Sequence, residues 1–156
     1  MKFIKKFLIW ISLVFLMAGC GGLEESTMVS VLTIDAKSYD FEVIIADDVD
    51  ERNQGLQNVS SLGDEEGMWF IFEEAKVRTF WMKDTLISLD IIFIGEDFKV
   101  LNIAHDVPPC TEIDPEQLNC STYSSDGEAQ YVFEIKGGLA DYYGIKIGDI
   151  VRPLNF

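Results

Sequence analysis

Hydrophobic and polar positions divide the chain into three stretches. The first is an apolar run, Phe7 to Ala18, broken only by Ser12 and preceded by Lys2, Lys5 and Lys6. A basic start followed by about a dozen apolar residues has the layout of a secretory signal, and a spanning helix needs roughly 20. Gly21 to Ser30 is small and polar with an acidic centre, which reads as a tether. Extended, it reaches on the order of 30 Å.

Beyond the tether the pattern is that of short strands. Residues 29–34 and 40–46 flank the turn Asp35-Ala36-Lys37-Ser38 and predict a hairpin. The acidic Asp47–Glu51 offers an N-cap and a negative first turn, predicting a helix over about 49–57. Strands follow over 67–72, 77–83, 89–94, 98–104, 129–135 and 150–154, and a helical turn over 138–143 closes at Gly144. The run Leu89–Ile94 is continuously apolar, the mark of a strand buried on both faces. About eight short strands with two helical pieces predict a mainly β domain, a small closed or half-closed β-barrel.

Leu16-Met17-Ala18-Gly19-Cys20 resembles the lipobox of bacterial lipoproteins, with Met17 where Leu is commoner. The resemblance implies a lipoprotein signal over residues 1–19, acylation of Cys20, a lipidated tether over 20–29 and one β-rich domain over 30–156. The alternative is an ordinary cleaved signal beside an incidental cysteine. Acylation also removes an odd thiol from an oxidising compartment, and several acyl chains together anchor stably. The expected address is the cell envelope, extracytoplasmic and lipid-anchored, with the choice between inner and outer membrane open.

Charge sharpens this picture. The chain has 12 basic and 27 acidic residues, a net of −15. Removing the leader takes three lysines and no acid, leaving 9 against 27, a net of −18. Such a surface repels nucleic acid and anionic lipid headgroups. Membrane attachment therefore has to come from the acyl anchor.

Several blocks occur in order: Arg52-x-x-Gly55-Leu56, Gly67-Met68, Phe80-Trp81-Met82-Lys83-Asp84-Thr85, Leu89-Asp90-Ile91, Pro108-Pro109-Cys110, Cys120-x-x-Tyr123 and Gly144-Ile145-Lys146-Ile147-Gly148-Asp149. Together, over about residues 30–154, they resemble the domain of unknown function 192 family. Asp84 stands where that family usually has Asn, and Gln57-Asn58-Val59 where it has Met and a basic residue. The resemblance implies a compact β-rich domain. The Gly148-Asp149 turn is similar to one in cradle-loop and double-psi barrels, an analogy of fold that carries no function.

The chemistry-bearing residues are few. His105 is the single histidine, and no motif marks a nucleophile for it to activate; the plain reading is a polar residue at a strand end. A zinc site would have to draw on Cys110, Cys120, His105 and a carboxylate at wide spacing. Cys110 and Cys120 read instead as a disulfide, being the cysteines left once Cys20 is acylated. Neither a metal nor a cofactor is expected.

Asp90 is the most informative acid, because its neighbours on both faces are apolar and a buried carboxylate must be paired or hydrogen-bonded. Three readings stand. Asp90 clamps the backbone of the 83–88 loop, or it joins Arg52 or Lys83 around an anionic ligand, or it pairs with Asp84 or Glu134 for acid–base chemistry. Strand alternation puts Phe80 and Met82 on one face and Trp81 on the other, either in the core or as a stacking platform. Three functions follow. The first is a binding module whose groove near Arg52, Trp81, Lys83 and Asp90 holds an envelope ligand or a protein partner. The second is a structural or assembly factor without a small ligand. The third is a hydrolase acting on envelope material, which requires two carboxyls converging in one cleft.

Overall fold

The computed structural model describes residues 26–33, 36–110 and 120–154. The leader, Cys20, residues 21–25 of the tether and the stretch 111–119 lie outside the described residues.

The elements in chain order are β1 (Ser26–Leu32), β2 (Ser38–Ala46), α1 (Val49–Gln54), β3 (Glu66–Lys76), β4 (Thr79–Trp81), β5 (Leu89–Ile94), β6 (Val100–Val107), β7 (Thr122–Ser124), β8 (Ala129–Lys136), α2 (Leu139–Tyr143) and β9 (Ile150–Pro153). Seven strands form one sheet in the order β6-β5-β8-β3-β2-β1-β9, while β4 and β7 form a separate ribbon. All pairings are antiparallel except β2 with β3. That parallel pair needs a long crossover, and the segment carrying α1 supplies it. The sheet curls until its ends meet. Lys99 bridges Ile150, the Val151 N–H donates to the Phe98 carbonyl at 2.9 Å, and the Val100 N–H donates to the Asp149 carbonyl at 2.9 Å. The result is a mainly β, curled half-barrel.

Apolar side chains cover both faces of its central strands. One core gathers Val29, Phe41, Trp69, Ile92, Phe133 and Val151. The other gathers Leu56, Phe70, Met82, Ile91, Phe93 and Val132 beneath α1 and the ribbon. Every residue of β5 is buried, as its unbroken apolar run predicts. Gly67 shows why one family block needs glycine. A Cβ there would lie 2.6 Å from the Glu134 carbonyl oxygen and 2.7 Å from Phe133 Cε2, closer than real contacts.

The sequence expectations depart from this structure in several places. Residues 26–30, expected in the tether, belong to β1, because they pair along β2. The helix expected to about residue 57 stops at Gln54, because Gly55 turns the chain at φ 48° and its N–H caps the Glu51 carbonyl. The strand expected over 77–83 is only Thr79–Trp81 and belongs to the ribbon. Its partner β7 is a polar tripeptide without an apolar signal. Cys110 and Cys120 form a disulfide with Cα atoms 5.8 Å apart. It ties the chain leaving β6 to the entry of β7. Cys110 also makes backbone bridges to Lys83 and Thr85, so the crosslink docks the ribbon against the barrel.

Candidate functional site

The site begins at α1. Asp48 caps the helix by accepting the Glu51 N–H at 2.8 Å, and the Glu51 carboxylate accepts the Asp48 N–H at 3.3 Å in return. This reciprocal cap fixes a helix of under two turns and so positions Arg52. The Arg52 Nη1 donates to the Ile71 carbonyl at 2.9 Å and to the Asp47 carbonyl. Its guanidinium lies 5.2 Å from the centroid of Phe72.

A second guanidinium, Arg78, sits 3.9 Å from the same ring and donates through Nε to the Ala129 carbonyl at 3.3 Å. Burial and the neighbouring Arg52 charge lower the Arg78 pKa, while Glu74 opposes them. Among the described residues neither arginine forms an ion pair with a carboxylate. Lys76 does so with Glu74 at 2.6 Å, and this pairing lowers the Glu74 pKa. Arg52, Lys76, Arg78 and Lys83, four of the nine basic residues beyond the leader, thus gather in one region of a strongly acidic chain.

Alternation along β4 supplies the other wall. Phe80 packs edge-on to Phe70 and Phe93, with centroids 5.0 and 5.9 Å apart, and Met82 is buried. Trp81 therefore points outward and is 55% exposed, with the Lys83 ammonium 5.8 Å from its ring. An open groove of about 410 Å³ runs between these walls, lined by Val49, Arg52, Phe72, Phe80, Trp81 and Thr122 among others. A smaller cavity of about 30 Å³ adjoins it and shares Arg52, Asn53, Phe80 and Trp81 with it. Lys83, Thr85 and Glu134 complete the lining of that cavity.

Glu134 is 4% exposed, and burial pushes its pKa up to about 8, so the carboxyl is largely neutral at pH 7. It stands on β8 opposite Met68 of β3 and Ile91 of β5. Among the described residues its side chain makes no hydrogen bond or ion pair.

Asp90 does not belong to this site, and this corrects the expectation that grouped it with Arg52, Trp81 and Lys83. It is fully buried and accepts three backbone N–H bonds, from Asp106 at 2.7 Å, Gly138 at 3.1 Å and Ala140 at 2.7 Å. The clamp is real, but its donors come from β6 and the start of α2 and not from the 83–88 loop. Asp90 pairs with Ile135 across the β5–β8 ladder, whereas Glu134 pairs with Ile91. Strand alternation therefore puts the two carboxyls on opposite faces of the sheet. The expected Asp90–Glu134 acid–base pair is not formed.

The other candidates fall outside the groove. Trp69 is wholly buried, stacked on Tyr131 at 5.4 Å. His105, on β6, faces Asp141 with Nδ1 3.3 Å from its carboxylate. Among the described residues, no group of three or more His, Cys, Asp and Glu is placed to hold a metal ion, and no helix is long and apolar enough to cross a membrane. Sequence reasoning thus anticipated Arg52, Trp81 and Lys83 and missed Arg78 and Phe72. Glu134 entered it only as a second carboxylate. The available signal was a lone acid inside the buried run Tyr131–Ile135.

Comparison with known proteins places the domain. The family model for DUF192, uncharacterized ACR, matches residues 30–153. The chain belongs to this DUF192 family. Its fold is similar to that of a candidate transcription regulator from Sinorhizobium meliloti 1021, with a TM-score of 0.77 and 26% identity over 85% of this chain and 97% of that one. It is also similar to a protein of unknown function from Novosphingobium aromaticivorans DSM 12444. There the TM-score is 0.73 and the identity 37%, over 81% of this chain and 84% of that one. No curated protein gives a significant match.

Proposed function

We propose that this DUF192 protein is a lipid-anchored envelope lipoprotein whose domain is a binding module, with Cys20 as its membrane attachment. The single observation that carries the binding role is the convergence of Arg52 and Trp81 on one open groove of about 410 Å³. An indole left 55% exposed beside an arginine without a carboxylate partner leaves both groups available to a ligand in the groove. The groove is of the size that small-molecule sites occupy. The leader and lipobox support the membrane address. A net charge of −18 beyond the leader opposes nucleic-acid binding, so the regulatory description of the Sinorhizobium neighbour is not carried over.

A thermal-shift screen of the full chain against small envelope metabolites tests the binding role. Hits raise the melting temperature of the wild type and leave Trp81→Ala, itself equally stable, unmoved. Hits that act equally on both proteins refute the groove. Palmitate labelling tests the anchor: the wild type incorporates label and fractionates with membranes, and Cys20→Ser does neither. Label on Cys20→Ser, or none on the wild type, contradicts it.

A further inference from the structure

Resting on the binding role just proposed, we infer that the groove takes a monocarboxylate with an apolar or aromatic body, and that Glu134 is the buried group that reads its head. The small cavity opens off the groove through the shared residues Arg52, Asn53, Phe80 and Trp81. Glu134 lines it while almost wholly buried and without a hydrogen-bond partner among the described residues. Among the described residues the sealed side-chain polar atom without a partner is Trp69 Nε1; the Glu134 carboxyl instead lines the cavity, where a ligand atom can pair with it.

Charge and size select the ligand. The charged residues lining the cavity with Glu134 are Arg52 and Lys83, and both repel an ammonium. The strands flanking Glu134 place Met68 and Ile91 beside it, apolar on both sides. A neutral carboxyl there donates a hydrogen bond, as do the Lys83 ammonium and the Arg52 guanidinium, while the Thr85 hydroxyl donates to the Lys83 carbonyl at 3.4 Å. The charged side chains that face the cavity are both cations, while the amides of Asn53, Gln54 and Gln57 can donate or accept, so the complement of the charged lining is an anionic acceptor. The cavity, about 30 Å³, has room for a small polar head and not for a ligand body. A planar carboxylate can insert an oxygen there. Guanidinium also matches a carboxylate by paired, nearly parallel hydrogen bonds. The ligand body then lies along Phe72, Phe80 and Trp81, where the groove wall is aromatic.

The test is calorimetric titration of the full chain with phenylacetate, with benzylamine and 2-phenylethanol as probes of the same body and a different head. Phenylacetate is expected to bind, benzylamine not at all, and the alcohol at least tenfold more weakly. If only neutral Glu134 accepts the carboxylate, a pKa of about 8 makes affinity fall about tenfold between pH 7 and pH 9. Glu134→Gln keeps a donor that does not titrate. It should bind within about threefold of wild type at pH 7 and lose less than twofold by pH 9. Arg52→Ala, checked for native circular dichroism, should weaken phenylacetate at least tenfold. Equal binding of benzylamine or the alcohol, no saturable binding of phenylacetate, or the same pH profile in Glu134→Gln each overturns the inference. The library screen with Trp81→Ala judges the broader binding role separately.

Discussion

Asp90 and Glu134 lie on adjacent strands, β5 and β8, yet their carboxyls stand on opposite faces of the sheet. One is satisfied by three backbone donors, and the other has no partner among the described residues. The first holds β6 and α2 against the barrel, and the second faces the cavity beside the groove. Their consequences differ accordingly.

Replacing Asp90 strips three backbone N–H groups, that of Ala140 buried and those of Asp106 and Gly138 partly so, of their acceptor at once. Asp90→Ala is expected to destabilise the domain by about 3–5 kcal/mol. Asp90→Asn should cost less, since it keeps one acceptor oxygen but turns an amide N–H toward a donor. Urea unfolding followed by circular dichroism measures both. A loss below about 1 kcal/mol for Asp90→Ala would remove the clamp from the account.

Glu134 links stability to pH with the opposite sign from a salt-bridged acid. Its folded pKa, about 8, lies above its ordinary value of 4.5, so between these values the folded state binds more protons than the unfolded one. Stability therefore falls as pH rises from about 4.5 to about 8, and the cost is complete above that. At about 1.36 kcal/mol per unit the cost is on the order of 5 kcal/mol. Glu134→Gln should flatten this part of the stability profile. An unchanged slope in the variant would assign the pH dependence to other groups.

Some of this was legible in the chain and some was not, for physical reasons. Leu89–Ile94 announced a strand buried on both faces, and every residue in it is buried. That Asp90 must find partners also followed from its apolar neighbours. Which partners could not follow, because the donors lie 16 to 50 residues downstream and meet it only through sheet register. Thr122–Ser124 gave no strand signal, since three mainly polar residues bury little. It is held by pairing with Thr79–Trp81 and by the nearby disulfide. Arg78 reaches Phe72 only because β3 runs on to Lys76 and the chain then reverses. No local spacing encodes that contact.

The disulfide should matter for stability in proportion to the loop it closes. Removing it by Cys110→Ser with Cys120→Ser is expected to cost about 2–3 kcal/mol. The ribbon should loosen first, because Cys110 also bridges Lys83 and Thr85. Hydrogen exchange would show amides of 79–85 and 122–124 losing protection ahead of β5 and β8. Uniform loss across the sheet would deny the crosslink its local role.

The two tryptophans of the domain should respond in opposite ways to truncation. Trp69→Ala empties a filled core position and is expected to cost about 3–5 kcal/mol. Trp81→Ala removes an exposed ring and should stay within about 0.5 kcal/mol of wild type. Denaturant midpoints decide this, and comparable losses at both positions would place Trp81 in the core.

The most direct test of the groove uses the same pair of rings. In a proton–nitrogen correlation spectrum of the mature protein, the Trp81 and Trp69 indole N–H signals report the groove and the core. Titration with a ligand from the thermal-shift screen should move the Trp81 signal in a saturable manner and leave Trp69 in place. Movement of neither signal under saturating ligand, or of Trp69 alone, would contradict a binding site at Arg52 and Trp81.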